Sequence, residues 1–219
     1  MKLEKVTKTV RRYDDACGTA HALDLIGERW ALLVMRELML GPKRFGDLRA
    51  SLPGVSANVL TQRLEGLEAS GLLVRRRLPP PASVQVYELT GWGLEAEPFI
   101  SSMGKWAARS PAHDPTMPLS PVSIMLSLKT MFDPAKAGDV CLSIGFRFGD
   151  ESFVLTVADR LLTVRRGEAE AASVVLTVSP EEIAGAVYGG APLPAGALRG
   201  EAAVFDRFVT FFELPPKAG

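Results

Sequence analysis

The chain has 219 residues, of which 47% are hydrophobic and 23% are charged, and its formal net charge is zero. This length favours two domains, and the ordinary composition excludes a chain that is disordered throughout. No apolar run approaches the roughly 20 residues that a membrane helix needs, and the charged beginning lacks the apolar core of a signal peptide. We therefore expect a cytoplasmic protein without a membrane partner.

The charges are distributed unevenly along the chain. Residues 1–110 hold 16 Lys and Arg against 12 Asp and Glu, and residues 111–219 hold 9 against 13. A modestly basic first half is compatible with a polyanionic partner, although a charge of this size does not prove one. The position of the basic residues is therefore more informative than their number.

The first half is predicted to contain a helix-turn-helix. Apolar spacing predicts helices over residues 16–26 and 30–40, and a glycine followed by a proline is a typical end for the second. A short helix over residues 45–51 and another that begins at Ser56 follow, with a tight turn between them.

The second helix of this motif presents a polar face. An advance of 100° per residue places Leu60, Leu64 and Leu67 on one side, which we predict to be buried. The opposite side is suited to reading bases, because Asn and Gln can pair with adenine in the major groove and Thr can contact thymine. The candidate DNA contacts are Asn58, Thr61 and Gln62, with Arg63 on the flank for a phosphate and Arg44 before the preceding helix.

A two-stranded ribbon is predicted after this helix. Gly71 ends the helix, Leu72 begins a strand, and the strand VQVYEL returns after a proline-rich loop. Such a ribbon is the wing of a winged helix. Strand alternation places Arg75 and Arg77 on one face and Arg76 on the other, so at least one of the three is expected to reach the DNA backbone.

These features also have plainer interpretations, which stay open. Polar residues on the outside of a helix are usually solvated surface, and three arginines in a row are often a solvated strand face. A winged helix can also serve protein binding alone. Steep salt dependence of duplex binding would distinguish a DNA-binding protein from that alternative.

The second half is predicted to be a sheet covered by helices. Residues 109–121 hold four of the sixteen prolines, which disfavours regular structure, so we expect domains over residues 1–108 and 122–219 with this linker between them. Period-two patterns then predict four strands in an antiparallel meander. A capping box at Ser179 begins a helix to about Tyr188, and a last apolar helix follows. The predicted fold class is α+β.

The first half resembles a known family. The resemblance rests on Cys17 followed by the segments LDLIGERWALLVMRELMLGPKRFGDL, LPGVSANVLTQRLEGLEASGLL and VYELTGWG. These are very similar to the HxlR-type winged-helix regulators. The resemblance implies a homodimer joined through the first and last helices of the domain, bound to operator DNA, with the helix that begins at Ser56 as the recognition helix.

The second half resembles a sterol-carrier-protein-like domain. The resemblance rests on the predicted strands, the helix start SPEEI and the closing segment LRGEAAVFDRFVTFF. It implies an apolar tunnel that takes a small lipophilic ligand, and hence a ligand-sensing module. The residues that could line it are Phe146, Phe148, Phe205, Phe208 and Phe212, although apolar periodicity of this kind more often marks an ordinary core.

Cys17 is a candidate redox sensor. It lies four residues before His21 on the first predicted helix, a spacing that could form a reactive thiolate or half a metal site. Related regulators often carry a sensing cysteine near this position, so the resemblance favours the thiolate. A small buried residue at the dimer helix is the plainer alternative, and we expect neither a metal nor a cofactor.

The leading hypothesis is a dimeric transcriptional regulator whose second domain adjusts DNA binding through a small apolar ligand. A protein-binding winged helix and a redox regulator acting through Cys17 are the alternatives. We expect no enzyme, because the chain contains no nucleophile elbow, no P-loop and no glycine fingerprint.

Overall fold

The computed structural model describes residues 13–219. The first twelve residues of the predicted first domain lie outside the described part. The first half consists of α1 (Gly18–Ile26), α2 (Ala31–Leu38), α3 (Phe45–Ser51), α4 (Ala57–Ala69), β1 (Leu73–Arg77), β2 (Gln85–Leu89), α5 (Gly91–Leu94) and α6 (Glu97–Ala107).

The predicted winged helix-turn-helix is confirmed. The Ser56 hydroxyl accepts a hydrogen bond from the backbone N–H of Val59 at 3.3 Å and so caps α4. Leu60, Leu64 and Leu67 are all buried, and α4 packs against α2 through this face. The antiparallel wing pairs β1 with β2 from Leu73 opposite Leu89 to Arg77 opposite Gln85.

The second half is a sheet with helices on its surface. Its elements are α7 (Pro121–Met131), α8 (Pro134–Ala137), β3 (Leu142–Phe148), β4 (Glu151–Ala158), β5 (Leu161–Arg166), a 3-10 turn (Ala169–Ala171), β6 (Val174–Thr177), α9 (Pro180–Gly189), β7 (Leu198–Arg199) and α10 (Ala202–Val209). The strand order is β5-β4-β3-β6-β7. No helix within residues 13–219 combines the length and the apolarity needed to cross a bilayer.

The predicted four-strand antiparallel meander is wrong at its fourth strand. β3, β4 and β5 form a meander, but β6 crosses over and pairs parallel to β3, and the short β7 then pairs antiparallel to β6. Alternation of apolar residues specifies the two faces of a strand but not its direction. The 3-10 turn in this crossover packs closely on β3. A Cβ at Gly145 of β3 would lie only 2.1 Å from the carbonyl oxygen of Ala169 in that turn, so only glycine fits there.

Helix α7 connects the two halves. It is apolar on nearly all sides, as expected for a buried helix, and it packs against α2 and α6 on one hand and β5 and α9 on the other. This helix was not predicted from the sequence, although Ser120 caps it and Pro121, the last residue of the predicted linker, is its first residue. The buried side chains of both halves form one continuous cluster.

The end of the chain returns to the first half. The Lys217 ammonium donates to the carbonyl oxygens of Ala108 and Ser110 at 3.0 and 3.1 Å, and the N–H of Ala218 donates to Arg109 at 2.7 Å. These bonds satisfy carbonyl groups just after α6, where a helix leaves its last acceptors free.

Candidate nucleic-acid interface

The polar face of α4 is accessible. Asn58 and Thr61 are exposed and Gln62 is half-buried. The Thr61 hydroxyl donates to the carbonyl oxygen of Ala57 at 3.0 Å, which leaves its lone pair and its methyl group for a partner. Within residues 13–219, the amides of Asn58 and Gln62 make no hydrogen bond, so both remain available for base edges.

Arg63 is turned toward its own domain. Its Nε donates to the carbonyl oxygen of Arg29 at 2.9 Å, and a terminal nitrogen lies 3.0 Å from the Glu28 carboxylate. These contacts fasten α4 to the loop between α1 and α2. A phosphate contact by Arg63 would require that it leave these partners, so the geometry supports a positioning role more directly than the predicted phosphate contact.

The three wing arginines have partners within the protein. Arg75 contacts Glu68 of α4 at 2.8 Å and lies over the ring of Tyr87, and this hydrogen bond to Glu68 raises the pKa of Arg75. Arg76 pairs with Glu88, whereas Arg77 donates to the carbonyl oxygen of Ser83 at 3.1 Å. The register places Arg75 and Arg77 on one face, as predicted. Because two of the three charges are paired, the wing is less positive than its sequence suggests.

Two arginines of the helix-turn-helix are accessible without such partners. Arg44 precedes α3 and Arg49 lies on it, and both are exposed. In the part of the chain that the structure describes, neither guanidinium group has a hydrogen-bond or ion-pair partner. Arg49 was missed by sequence analysis, although its place on the helix before the recognition helix was a usable signal.

An apolar groove of about 440 Å³ lies between α1, α2 and α6. Its walls include Leu23, Leu33 and Phe99, all partly exposed, and the neighbouring Trp106 on α6 is 74% exposed. We call this surface the α1–α6 face. Exposed apolar surface of this kind marks a contact with another molecule more often than a free surface.

Cys17 immediately precedes α1 rather than lying on it, which corrects the predicted helix start. The thiol is exposed, and hydrogen bonds from the backbone and hydroxyl of Thr19 and from the backbone of Ala20 lower its pKa. Its backbone carbonyl accepts from the N–H of His21 at 3.1 Å, whereas the His21 ring faces Asp24. No group of three or more metal-ligating side chains occurs within residues 13–219.

The five phenylalanines proposed for a tunnel are all buried in the core of the second half. Their rings contact one another, with centroids 4.7 Å apart for Phe208 and Phe212 and 6.3 Å apart for Phe146 and Phe208. Two clefts of the described chain lie elsewhere, one on the α1–α6 face and one between α6 and α7. Between α7 and α9, the Tyr188 hydroxyl lies 2.9 Å from the Ser127 hydroxyl, and burial raises the pKa of Tyr188.

The fold defines the class: a winged helix-turn-helix protein, which is an architecture common among transcriptional regulators. Residues 25–114 match the HxlR-like helix-turn-helix family. The HTH-type transcriptional regulator sll1512 of Synechocystis sp. is 39% identical over 89 residues, which are 41% of this chain and 66% of that protein. YvaP of Bacillus subtilis is 37% identical over 39% of this chain and 80% of its own length. The chain belongs to the HxlR-like family.

Solved structures give a similar comparison. The redox regulator HypR in its oxidized form is 31% identical, with a TM-score of 0.39, over 42% of this chain and 94% of that one. The quinone-bound YodB of Bacillus subtilis is 31% identical, with a TM-score of 0.36, over 41% of this chain and 93% of that one. The family match ends at residue 114, so the sheet of the second half lies beyond it.

Proposed function

We propose that this protein binds operator DNA as a homodimer, with α4 in the major groove and the wing beside the backbone. The observation that carries the proposal is the free polar face of α4, where two amide side chains face outward beside the arginine-bearing hairpin. Bidentate amide contacts supply base discrimination, whereas cationic side chains supply affinity and salt dependence. Arg44 and Arg49, both exposed at the helix before α4, would add phosphate contacts without breaking an ion pair.

Gln62→Ala is expected to weaken binding to a duplex selected by the wild-type protein from a random-sequence library by about 1 to 3 kcal/mol. The loss should relax the preference at one base position, because the amide no longer reads its edge. Arg75→Ala should instead lower affinity for all sequences alike. Gel-shift titrations of both variants at two salt concentrations measure these effects.

Glu65→Ala is the matched control, since Glu65 is exposed on the same helix and would face the polyanion as an acid. Its removal should leave affinity unchanged or raise it. Equal binding by wild type and Gln62→Ala, or binding that ignores salt, would contradict the proposed docking and favour a protein-binding winged helix.

The α1–α6 face supports the dimeric arrangement. A second copy seated there would cover Leu23, Phe99 and Trp106, which are otherwise in contact with water. Both helices belong to the pair that the family resemblance assigns to dimer formation. Sedimentation at twice the mass of 23.6 kDa is the companion measurement for the binding assay.

The second half is proposed to sense a small apolar ligand. What supports this is the resemblance of the second half to sterol-carrier-like domains. A ligand could regulate DNA binding only if it bound the DNA-competent and DNA-incompetent dimers with different free energies. Native mass spectrometry of the purified protein would detect a lipophilic molecule carried with it.

Redox sensing at Cys17 is the second candidate function. The observation that favours it is an exposed thiol whose pKa is lowered by hydrogen bonds at the start of α1. Two proteins similar to this chain are named a redox regulator and a quinone-bound regulator. A thiolate at this position would react with electrophiles at a pH where an ordinary thiol is still protonated.

Alkylation by iodoacetamide tests the state of this thiol. Because the pKa of Cys17 is lowered, its thiolate forms at a lower pH than that of an ordinary cysteine. The alkylation rate should therefore reach half its maximum at a pH below the ordinary pKa of cysteine. Peptide mass spectrometry separates Cys17 from the exposed Cys141, and Cys17→Ser gives the background. If the alkylation rate of Cys17 reached half its maximum at a pH at or above the ordinary pKa of cysteine, this candidate function would be contradicted.

A further inference from the structure

A buried ionic cluster lies where the second half meets the helix-turn-helix. Glu37 of α2 is fully buried, and Lys43, in the turn before α3, is 4% exposed. Glu37 accepts hydrogen bonds from Lys43 at 3.1 Å and from Ser120, the cap of α7, at 2.6 Å. Charges are almost never buried in this way unless they are paired.

The Lys43 ammonium uses all three of its donors. They go to Glu37 of α2 at 3.1 Å, to the hydroxyl of Ser51 at the end of α3 at 2.9 Å, and to Glu151 of β4 at 3.3 Å. An ammonium has three N–H groups and no acceptor, so this set is complete. The second half therefore supplies one of the three acceptors of a buried cation in the first half.

The backbone of Lys43 is bound to the wing. Its N–H donates to the carbonyl oxygen of Tyr87 at 3.0 Å, and the N–H of Tyr87 donates back at 2.9 Å. Tyr87 pairs with Arg75 across the hairpin. Lys43 thus contacts the helix before α4, through Ser51, and the wing, through Tyr87.

The sheet of the second half contacts the turn before α3 at a second point. Arg166 of β5 donates from Nε to the carbonyl oxygen of Leu40 at 3.0 Å, and its terminal nitrogen lies 2.6 Å from Glu151. Neighbouring strands β4 and β5 therefore contact the turn before α3 together. A displacement of this sheet edge relative to α2 would pull on Lys43 and on Leu40.

We propose that Glu151 is a positioning residue for DNA binding: through Lys43 it sets where α3 and the wing lie, so the second half controls the geometry of the DNA-binding surface. This inference rests on the proposed DNA binding. The coupling element is a discrete set of hydrogen bonds, which is the kind of contact that can hold two arrangements. In this arrangement the second half holds the DNA-binding surface of the first in place, with or without a ligand.

Glu151→Ala tests the inference in the full chain. This substitution leaves one N–H of Lys43 without its acceptor. We expect affinity for the library-selected duplex to fall about tenfold, which is a typical size for energetic coupling between two parts of a protein. Glu151→Gln keeps an oxygen that can accept from Lys43, so its affinity should lie between those of Glu151→Ala and wild type. Circular dichroism at the assay temperature reports whether each variant is folded.

Glu97→Ala is the matched control. Glu97 of α6 pairs with Lys129 of α7 at 2.5 Å and also bridges the two halves, but it contacts neither α3 nor the wing. The DNA affinity of Glu97→Ala should stay within about twofold of wild type, because a partly exposed ion pair contributes little. A merely structural role for Glu151 would lower the melting temperature and leave the affinity of the folded variant unchanged.

The outcomes separate the two proposals. If wild type selects a duplex and folded Glu151→Ala binds it equally well, the inference is overturned while DNA binding stands. The inference also fails if Glu97→Ala loses as much affinity as Glu151→Ala, since the effect would then be general docking of the halves. If wild type enriches no duplex at all, the proposed function fails and this inference fails with it.

Discussion

Phe208→Ala is expected to lower the free energy of unfolding by about 3 to 5 kcal/mol. Phe208 is fully buried on α10, and its ring lies 6.2 to 6.3 Å from those of Phe146, Phe205 and Phe211 and 4.7 Å from that of Phe212. Removing the ring loses its transfer free energy and leaves a cavity that the packed neighbours can only partly fill.

Urea unfolding followed by circular dichroism measures this loss. Leu161→Ala is the control, because Leu161 is a large apolar residue on β5 that is 66% exposed, and its change should stay within about 0.5 kcal/mol. The same experiment bears on the proposed ligand. A ring that lined an open channel would have fewer packed neighbours, so a loss below about 1 kcal/mol would favour the tunnel over the packed core.

Glu37→Ala should cost about 3 to 5 kcal/mol, since it removes the fully buried carboxylate of the cluster and leaves Lys43 with Glu151 as its one remaining carboxylate partner. Lys43 would keep only Ser51 and Glu151, and Ser120 would lose its acceptor at the cap of α7. Thermal and urea unfolding measure the change. Glu97→Ala, which breaks a partly exposed pair, should cost at most about 1 kcal/mol.

Joint replacement of both buried charges refines this prediction. Glu37→Met combined with Lys43→Met removes the buried ammonium that Glu37→Ala leaves with one carboxylate partner, so the double variant should be more stable than Glu37→Ala. The double variant should nevertheless bind DNA poorly, because Ser51 and Glu151 lose the cation that joins them. If Glu37→Ala were as stable as Glu97→Ala, the buried charges could not depend on one another in this way.

Local patterns were sufficient to predict the DNA-binding motif. The turn before Ser56, the leucine spacing of α4 and the glycine after it are all read within a few residues, and each structure they predict is formed. The capping box at Ser179 is a second example, since Ser179 and Glu182 exchange hydrogen bonds of 2.7 and 3.1 Å. Such contacts depend on neighbours in sequence, so they are visible without the fold.

The partners of the predicted DNA-contacting arginines could not be predicted from local patterns. Arg63 is held by Glu28 and Arg29, which lie more than thirty positions earlier in the chain, and Arg75 is held by Glu68 from another element. Spacing along one helix or strand gives the direction of a side chain but not its partner. The predicted DNA contacts therefore remain a proposal, and the mutations above test them.

The amino-acid sequence by itself determined the helix-turn-helix, the wing, the polar face of α4 and the apolar faces of the later strands, because periodicity and capping are local. Only the tertiary structure decided that β6 runs parallel to β3, that α7 joins both halves, and that Lys43 of the first half is bound by Glu151 of the second. Pairings of this kind join residues remote in sequence, and their free energy depends on burial that no local pattern contains.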